Sequence, residues 1–83
     1  MKDEQVAVYP NPASEKITIA LKDNSYSEMQ IKCFDVLGHE VFATTSFNKV
    51  IQMDVSTFSK GIYFIQLKSK DSNQMITKKV IVQ

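Results

Sequence analysis

The side chains of this 83-residue chain that are able to catalyse a reaction or bind a metal are few. It has one histidine, His39, and one cysteine, Cys33, with Asp35 between them in sequence. A tetrahedral zinc site takes about four ligands, and the chain has no second cysteine or histidine to complete one. A serine nucleophile would have only His39 as a base, and two glycines are too few for a glycine-rich phosphate loop. We therefore predict a non-catalytic domain without a metal or cofactor.

Cys33 and His39 each have a simpler structural interpretation. Cys33 alternates with Ile31 in an apolar run, which predicts a buried small side chain rather than a nucleophile. His39 directly follows Gly38, which predicts an exposed residue on a turn. A single cysteine also excludes a disulfide within the chain.

Length and charge narrow the class of protein. The chain is long enough for one domain, which we place at 6–83 after a short N-terminal extension, 1–5. A net charge of +1 gives no field to attract nucleic acid or an anionic membrane. No apolar run is long enough to span a membrane, and the first ten residues, "MKDEQVAVYP", lack the apolar region of a secretory signal. If the domain is exported, we expect the export signal to lie upstream in a longer protein.

Apolar residues recur with a period of two along the chain, and no window has the spacing of a real helix. Val41 and Ala43 are the apolar pair of the fourth run, and in the last run Ile76, Val80 and Val82 should face inward. The pattern predicts an all-β, immunoglobulin-like antiparallel two-sheet β-sandwich of about seven strands. The seven runs cover 6–8, 17–21, 29–33, 41–43, 51–55, 63–67 and 76–82.

Polar or glycine-bearing segments separate these runs. Three of them have the length of hairpin connections: "KDNSYSE", "DVLGH" and "KDSNQ". The longer "DVSTFSKG" is predicted to hold a single helical turn, capped by Asp54 or Ser56.

Two short motifs interrupt the strands. In "YPNP", Tyr9 to Pro12, the prolines cannot donate to a strand ladder, so we predict a rigid corner where the chain switches between sheets. A polyproline-type ligand is the alternative, although one PxP is short for it. "GIY", Gly61 to Tyr63, predicts a tyrosine corner, in which the hydroxyl bonds back to the main chain while the ring fills the core.

Four blocks of the sequence together resemble the type A C-terminal sorting domain of the type IX secretion system. The resemblance runs from Val8 to Gln83, and the blocks follow the family's order and spacing. They are "VYPNPASEKITI", "IKCFDVLGHEV", "MDVSTFSKGIYFIQLK" and "KKVIVQ".

This resemblance implies a seven-stranded immunoglobulin-like fold and a role in protein export in Bacteroidetes. Such domains follow a cargo at the extreme C-terminus and are recognised by the secretion machinery in the periplasm. They address the cargo to the outer-membrane translocon. A sortase-like surface peptidase then typically removes the domain and joins the cargo to an anionic lipopolysaccharide, or releases it. The domain would thus pass through the periplasm and end at the cell surface or outside the cell.

The family motifs fall on particular residues of this chain. The resemblance suggests, and we predict, that the terminal motif is the recognition element, on a last strand at a sheet edge whose free main-chain groups pair with a strand of the machinery. Gln83 departs from members that end in a basic residue, and Cys33 stands where an aliphatic residue would be as natural. The other motif residues are assigned structural roles: Tyr9, Pro10, Asn11, Pro12, Asp35, Gly38, Gly61 and Tyr63. The recognition residues are Lys78, Lys79, Val80, Ile81, Val82 and Gln83.

Two other kinds of function stay open on the sequence. One is an adhesive or carbohydrate-binding module of a surface protein, which would need an exposed aromatic platform, yet the chain has three tyrosines and no tryptophan. The other is a structural immunoglobulin-like spacer, which would normally continue into another domain.

Overall fold

The computed structural model describes residues 5–22, 28–70 and 75–83. The alternating runs form seven strands, as the period of two predicts. The strands are β1 (Val6–Tyr9), β2 (Lys16–Leu21), β3 (Met29–Asp35), β4 (Glu40–Ser46), β5 (Val50–Asp54), β6 (Gly61–Ser69) and β7 (Met75–Val82).

The strands form two antiparallel sheets that pack face to face. One sheet has the order β1-β2-β5 and the other the order β4-β3-β6-β7. The fourth strand pairs with β3, whereas in constant-type immunoglobulin domains it joins the sheet of the first two strands. The prediction of a seven-stranded antiparallel sandwich is confirmed.

An apolar core lies between the sheets. In most strands the buried side chains alternate with exposed ones, because only one face of each sheet is covered. The residues that are fully excluded from solvent are Ile17, Ile19, Met29, Ile31, Cys33, Met53, Val55, Ile65, Leu67 and Val80.

The side chains of β4 lie in the opposite phase from the one that the sequence suggests. Val41 and Ala43 are exposed, and Phe42 packs against the core instead. The cause is a register shift at Cys33/Phe34, where Cys33 pairs with Phe42 but Phe34 pairs with Glu40. The extra residue in β4 reverses which side chains face inward.

The "YPNP" segment is only in part the predicted corner between sheets. The strands on either side of it, β1 and β2, pair with each other in the same sheet, so the chain does not change sheets there. It does reach the other sheet at one residue, because Ala13 forms a parallel bridge with Val82 of β7. Both bonds that precede a proline, Tyr9–Pro10 and Asn11–Pro12, are cis.

The two ends of the described chain lie at opposite ends of the sandwich. Gln5 is beside the end of β2, where its carbonyl accepts a hydrogen bond from the Lys22 amide. Ala13, which follows the far end of β1, pairs with the end of β7. The start of β1 is therefore remote from Gln83.

The connections agree in part with the predicted turns. "DVSTFSKG" contains no helical turn and forms non-helical turns instead. The Asp54 carboxylate accepts a hydrogen bond from the Ser56 amide, and the Val55 carbonyl accepts one from the Phe58 amide. The prediction of a helical turn there is wrong, because the Asp54 carboxylate stabilises a local turn instead of capping a helix. Most of "KDNSYSE" and "KDSNQ" lies outside the described residues.

Candidate functional site

The terminal strand β7 lies at the edge of the four-stranded sheet, with β6 as its neighbour in the ladder. Ile76, Val80 and Val82 are buried, whereas Lys79 and Ile81 are exposed on the outer face. Lys78 is half-buried on the inward side. The alternation of the last run therefore predicted the two faces of this strand correctly.

The outer edge of β7 is partly covered by the chain itself. The Asn11 side-chain amide donates a hydrogen bond to the Lys79 carbonyl over 3.2 Å and accepts one from the Ile81 amide over 2.9 Å. Next to it, the Ala13 amide donates to the Ile81 carbonyl over 2.9 Å, and the Gln83 amide donates to the Ala13 carbonyl over 2.7 Å. We call the segment Asn11–Ala13, with these hydrogen bonds, the clasp.

Because of the clasp, the end of β7 is not the free edge that the sequence predicted. The main-chain groups of the odd-numbered residues from Lys79 to Gln83 face outward, but several of them already have partners. Since main-chain groups alternate sides along a strand, those of Met75 and Thr77 face the same edge. Within 5–22, 28–70 and 75–83, no strand pairs with Met75 or Thr77 on that side. As far as the described residues show, the edge is thus unpaired at the start of β7 and covered at its end.

Asp35 and Gly38 form a tight hairpin turn between β3 and β4. One carboxylate oxygen of Asp35 accepts hydrogen bonds from the His39 amide over 2.8 Å and the Leu37 amide over 3.0 Å. The other oxygen lies 3.2 Å from His39 Nδ1. The hydrogen bond from the His39 amide, with the further contacts of this turn, lowers the pKa of Asp35. Gly38 has a φ of 90°, which favours glycine, so both residues have a structural role in this turn.

Tyr63 has the geometry of a tyrosine corner. Its ring is buried and lies 5.2 Å from the Phe58 ring, centroid to centroid. Its hydroxyl donates a hydrogen bond of 2.7 Å to the Ser59 carbonyl. Gly61, at the start of β6, has a φ of 151°. The "GIY" block thus ties the preceding loop to the core.

An open cleft of about 560 Å³ lies beside this corner and the Asp35 turn. Its rim includes Val36 and Leu37, which are 68% and 79% exposed. Two residues that line it, Asp35 and Tyr63, have side chains that are already hydrogen-bonded within the fold. Sequence analysis did not single out this apolar rim, although two large apolar residues at the tip of a turn were a visible signal.

Cys33 and His39 lie in the environments that the sequence predicts. Cys33 is fully buried, and this burial raises the pKa of its thiol to about 11, so it is not an activated nucleophile. The His39 side chain is exposed, as predicted. No group of histidine, cysteine and acidic residues in the described part of the chain is arranged to hold a metal ion. Within the same residues there is no helix long and apolar enough to cross a membrane.

Comparison with known proteins relates the whole sandwich to one family. The profile of the secretion system C-terminal sorting domain matches residues 7–83. An endo-acting ulvan lyase of Formosa agariphila is 38% identical over 79 residues, which cover 94% of this chain and 15% of the lyase. An ulvan lyase of Nonlabens ulvanivorans is 32% identical over 77 residues, covering 92% of this chain and 14% of that enzyme. The chain therefore spans only a small part of the length of these relatives.

A solved structure has the same fold. It is that of PorZ, described as an essential bacterial surface component of the type-IX secretion system of Porphyromonas gingivalis. The likeness has a TM-score of 0.76 at 21% identity and covers 96% of this chain and 12% of that one. Since the family profile covers nearly the whole chain, the chain belongs to the family of C-terminal sorting domains of the type IX secretion system.

Proposed function

We propose that this domain is a non-catalytic address label that follows a cargo in a larger exported protein. Its family membership and the small share of the lyases that it matches, 15% and 14%, support a role as one part of a longer chain. The buried Cys33 and the hydrogen-bonded Asp35 support a domain without catalytic residues. We place the junction with the cargo in the N-terminal extension, 1–5, before the sorting domain, 6–83.

The recognition element in this proposal is the end of β7, from Lys78 to Gln83. The observation that carries it is the position of β7 at a sheet edge, with Lys79 and Ile81 exposed on the outer face of the sheet. Main-chain groups at an edge can bind an extended strand of a partner, and a nearby cation can help to orient an acidic one. The partner is then a component of the secretion machinery.

The later steps of export follow from the same proposal. The domain passes through the periplasm with its cargo and leads it across the outer membrane. A sortase-like surface peptidase then cuts between cargo and domain, so the cargo is anchored to the cell surface or released. The separation of Gln5 from the end of β7 supports this order, because a cut before β1 is remote from the recognition strand.

The described residues offer little for the alternative of carbohydrate binding. A sugar platform needs aromatic side chains side by side, whereas the exposed Tyr9 and Phe47 are at opposite ends of the sandwich. Tyr9 ends β1 near the clasp, and Phe47 follows β4 near Lys49, whose carbonyl binds the Leu21 amide at the other end.

The test is the export of a periplasmic reporter that carries this chain at its C-terminus, in a host with the secretion system. Deleting Val80–Gln83 is a poor variant on its own, because it removes Val80 and Val82 from the core. The double substitution Lys79→Glu with Ile81→Ser changes only exposed side chains of β7. We expect this variant to retain the reporter in the periplasm.

The matched control changes the exposed side chains of β4, the other edge strand of the same sheet. Ala43→Ser with Thr45→Glu also makes two exposed side chains of an edge strand more polar and the strand more negative. We expect this control to reach the cell surface at the parent's level. Surface display of the folded Lys79→Glu, Ile81→Ser variant at the parent's level would place recognition elsewhere.

A further inference from the structure

We propose that the clasp is a displaceable cover on the recognition strand, and that the partner's strand takes its place. The partner is an extended polypeptide segment that pairs with the outer edge of β7 through main-chain hydrogen bonds. This inference rests on the proposed role of β7 in recognition. It adds that the end of the strand is hidden until Asn11–Ala13 moves away.

The clasp already occupies the bonding positions that an added strand would use. The Asn11 side chain acts as a peptide group would, donating to the Lys79 carbonyl and accepting from the Ile81 amide. Ala13 supplies the next two bonds with its main chain, at 2.9 Å from its amide and 2.7 Å to its carbonyl. A partner strand cannot pair with these atoms of β7 while the clasp is in place.

The composition of the clasp limits how firmly it can hold. Pro12 in the clasp and Pro10 just before it have no amide hydrogen, so neither can donate a further hydrogen bond to β7. Asn11 and both prolines are exposed, which leaves Ala13 as the buried anchor of the segment. The pairing is a single isolated bridge rather than a strand ladder. A segment with so little burial is of the kind that opens locally without global unfolding.

The open start of β7 gives the partner a place to begin. Met75 and Thr77 face the same edge, and no described strand pairs with them there. A strand that binds first at Met75 and Thr77 can extend toward Gln83 and replace the short bridge with a continuous ladder. Because main-chain bonds supply the affinity in this mode, the partner need not read every side chain of β7.

The first experiment measures the cover itself in the isolated chain. Asn11→Ala removes both side-chain bonds, and amide hydrogen exchange then reports on Ile81. We expect Ile81 to exchange faster than in the parent, while Ile65 in the central strand β6 is unchanged. Asn48→Ala, at an exposed turn remote from β7, is the matched control. An unchanged Ile81 rate in Asn11→Ala would overturn the proposal, because Asn11 would not be covering the strand.

The second experiment prevents the cover from opening. Ala13 and Val82 are bridge partners, and paired strand residues are close enough for a disulfide, so Ala13→Cys with Val82→Cys locks the clasp. Cys33→Ala in the background removes the native thiol. We expect the oxidised double variant, fused to the reporter, to stay in the periplasm. The two single-cysteine variants, which cannot form the lock, should be exported.

Comparing the export of the locked fusion with that of the Lys79→Glu, Ile81→Ser variant distinguishes failure of this inference from failure of the proposed function. If the locked fusion is exported while the Lys79→Glu, Ile81→Ser variant is retained, β7 is recognised but the clasp need not open, and the inference is overturned. If the Lys79→Glu, Ile81→Ser variant is also exported, the proposed recognition by β7 fails as well. Retention of the locked fusion, with export of both single-cysteine controls, supports the displaceable cover.

Discussion

The hydroxyl of Tyr63 donates a hydrogen bond to the main-chain carbonyl of Ser59 over 2.7 Å. This bond joins the start of β6 to the loop before it, while the tyrosine ring packs against Phe58 at the edge of the core. One side chain therefore both fills the core and binds the loop that leads into β6.

Two substitutions of Tyr63 separate these contributions. Tyr63→Phe keeps the ring and loses the hydrogen bond, so we expect the free energy of unfolding to fall by about 1 kcal/mol. Tyr63→Ala also leaves a cavity and should cost about 3 kcal/mol or more. Urea unfolding measures both changes. Tyr9→Phe, at an exposed tyrosine, is the control and should leave the unfolding midpoint unchanged. An unchanged midpoint in Tyr63→Ala would show that the tyrosine corner does not stabilise the fold.

Gly61 begins β6 with a backbone conformation that other residues rarely adopt. Its φ is 151°, and a Cβ added there would meet no atom within 4 Å. Gly61→Ala should therefore destabilise the fold through backbone strain rather than a steric clash. We expect the free energy of unfolding to fall by about 1 to 3 kcal/mol. Thermal unfolding checks this against Lys60→Ala, the exposed neighbour. Equal melting temperatures for the two variants would show that the chain relaxes around Gly61 without strain.

Asp35 should make the stability of the domain depend on pH in the acid range. The hydrogen bond from the His39 amide is the first cause that lowers its pKa below the ordinary value of 3.8. A carboxyl with a lowered folded-state pKa stabilises the fold above its unfolded-state pKa, and this contribution is lost as the pH falls through the folded value. Hydrogen bonds from Ser56 lower the pKa of Asp54 in the same way.

We therefore expect Asp35→Asn to be less stable than the parent near neutral pH. The difference in the free energy of unfolding should shrink as the pH is lowered from about 5 to about 2, because the parent's carboxyl then becomes protonated. Urea unfolding across this range measures it. A difference that is the same at every pH would show that the charge of Asp35 does not matter to the turn.

Cys33 should be inert to thiol reagents while the chain is folded. It is fully buried, and its pKa is raised to about 11, so almost no thiolate is present at about pH 8. We expect dithionitrobenzoate to label Cys33 only when urea unfolds the chain. Rapid labelling of the native chain would contradict its place in the core.

The strands and their buried faces could be predicted from sequence because their causes are local. A strand with one covered face needs an apolar residue at every second position, and β2, β3, β6 and β7 show this directly. The hairpin turn was equally readable, since the Asp35 carboxylate binds the amides of residues only two and four positions ahead. The inward and outward sides of the candidate recognition strand followed from the same alternation.

The phase of β4 and the cover on β7 were decided only by the tertiary structure. Phe42 faces inward instead of Val41 because the register of β4 shifts against β3, and a register belongs to a pair of strands. Asn11 and Ile81 are 70 residues apart in sequence. No local sequence pattern predicts that an asparagine between two prolines forms hydrogen bonds with the last strand. The contact forms because the segment between β1 and β2, in the three-stranded sheet, packs beside β7, the edge strand of the four-stranded sheet.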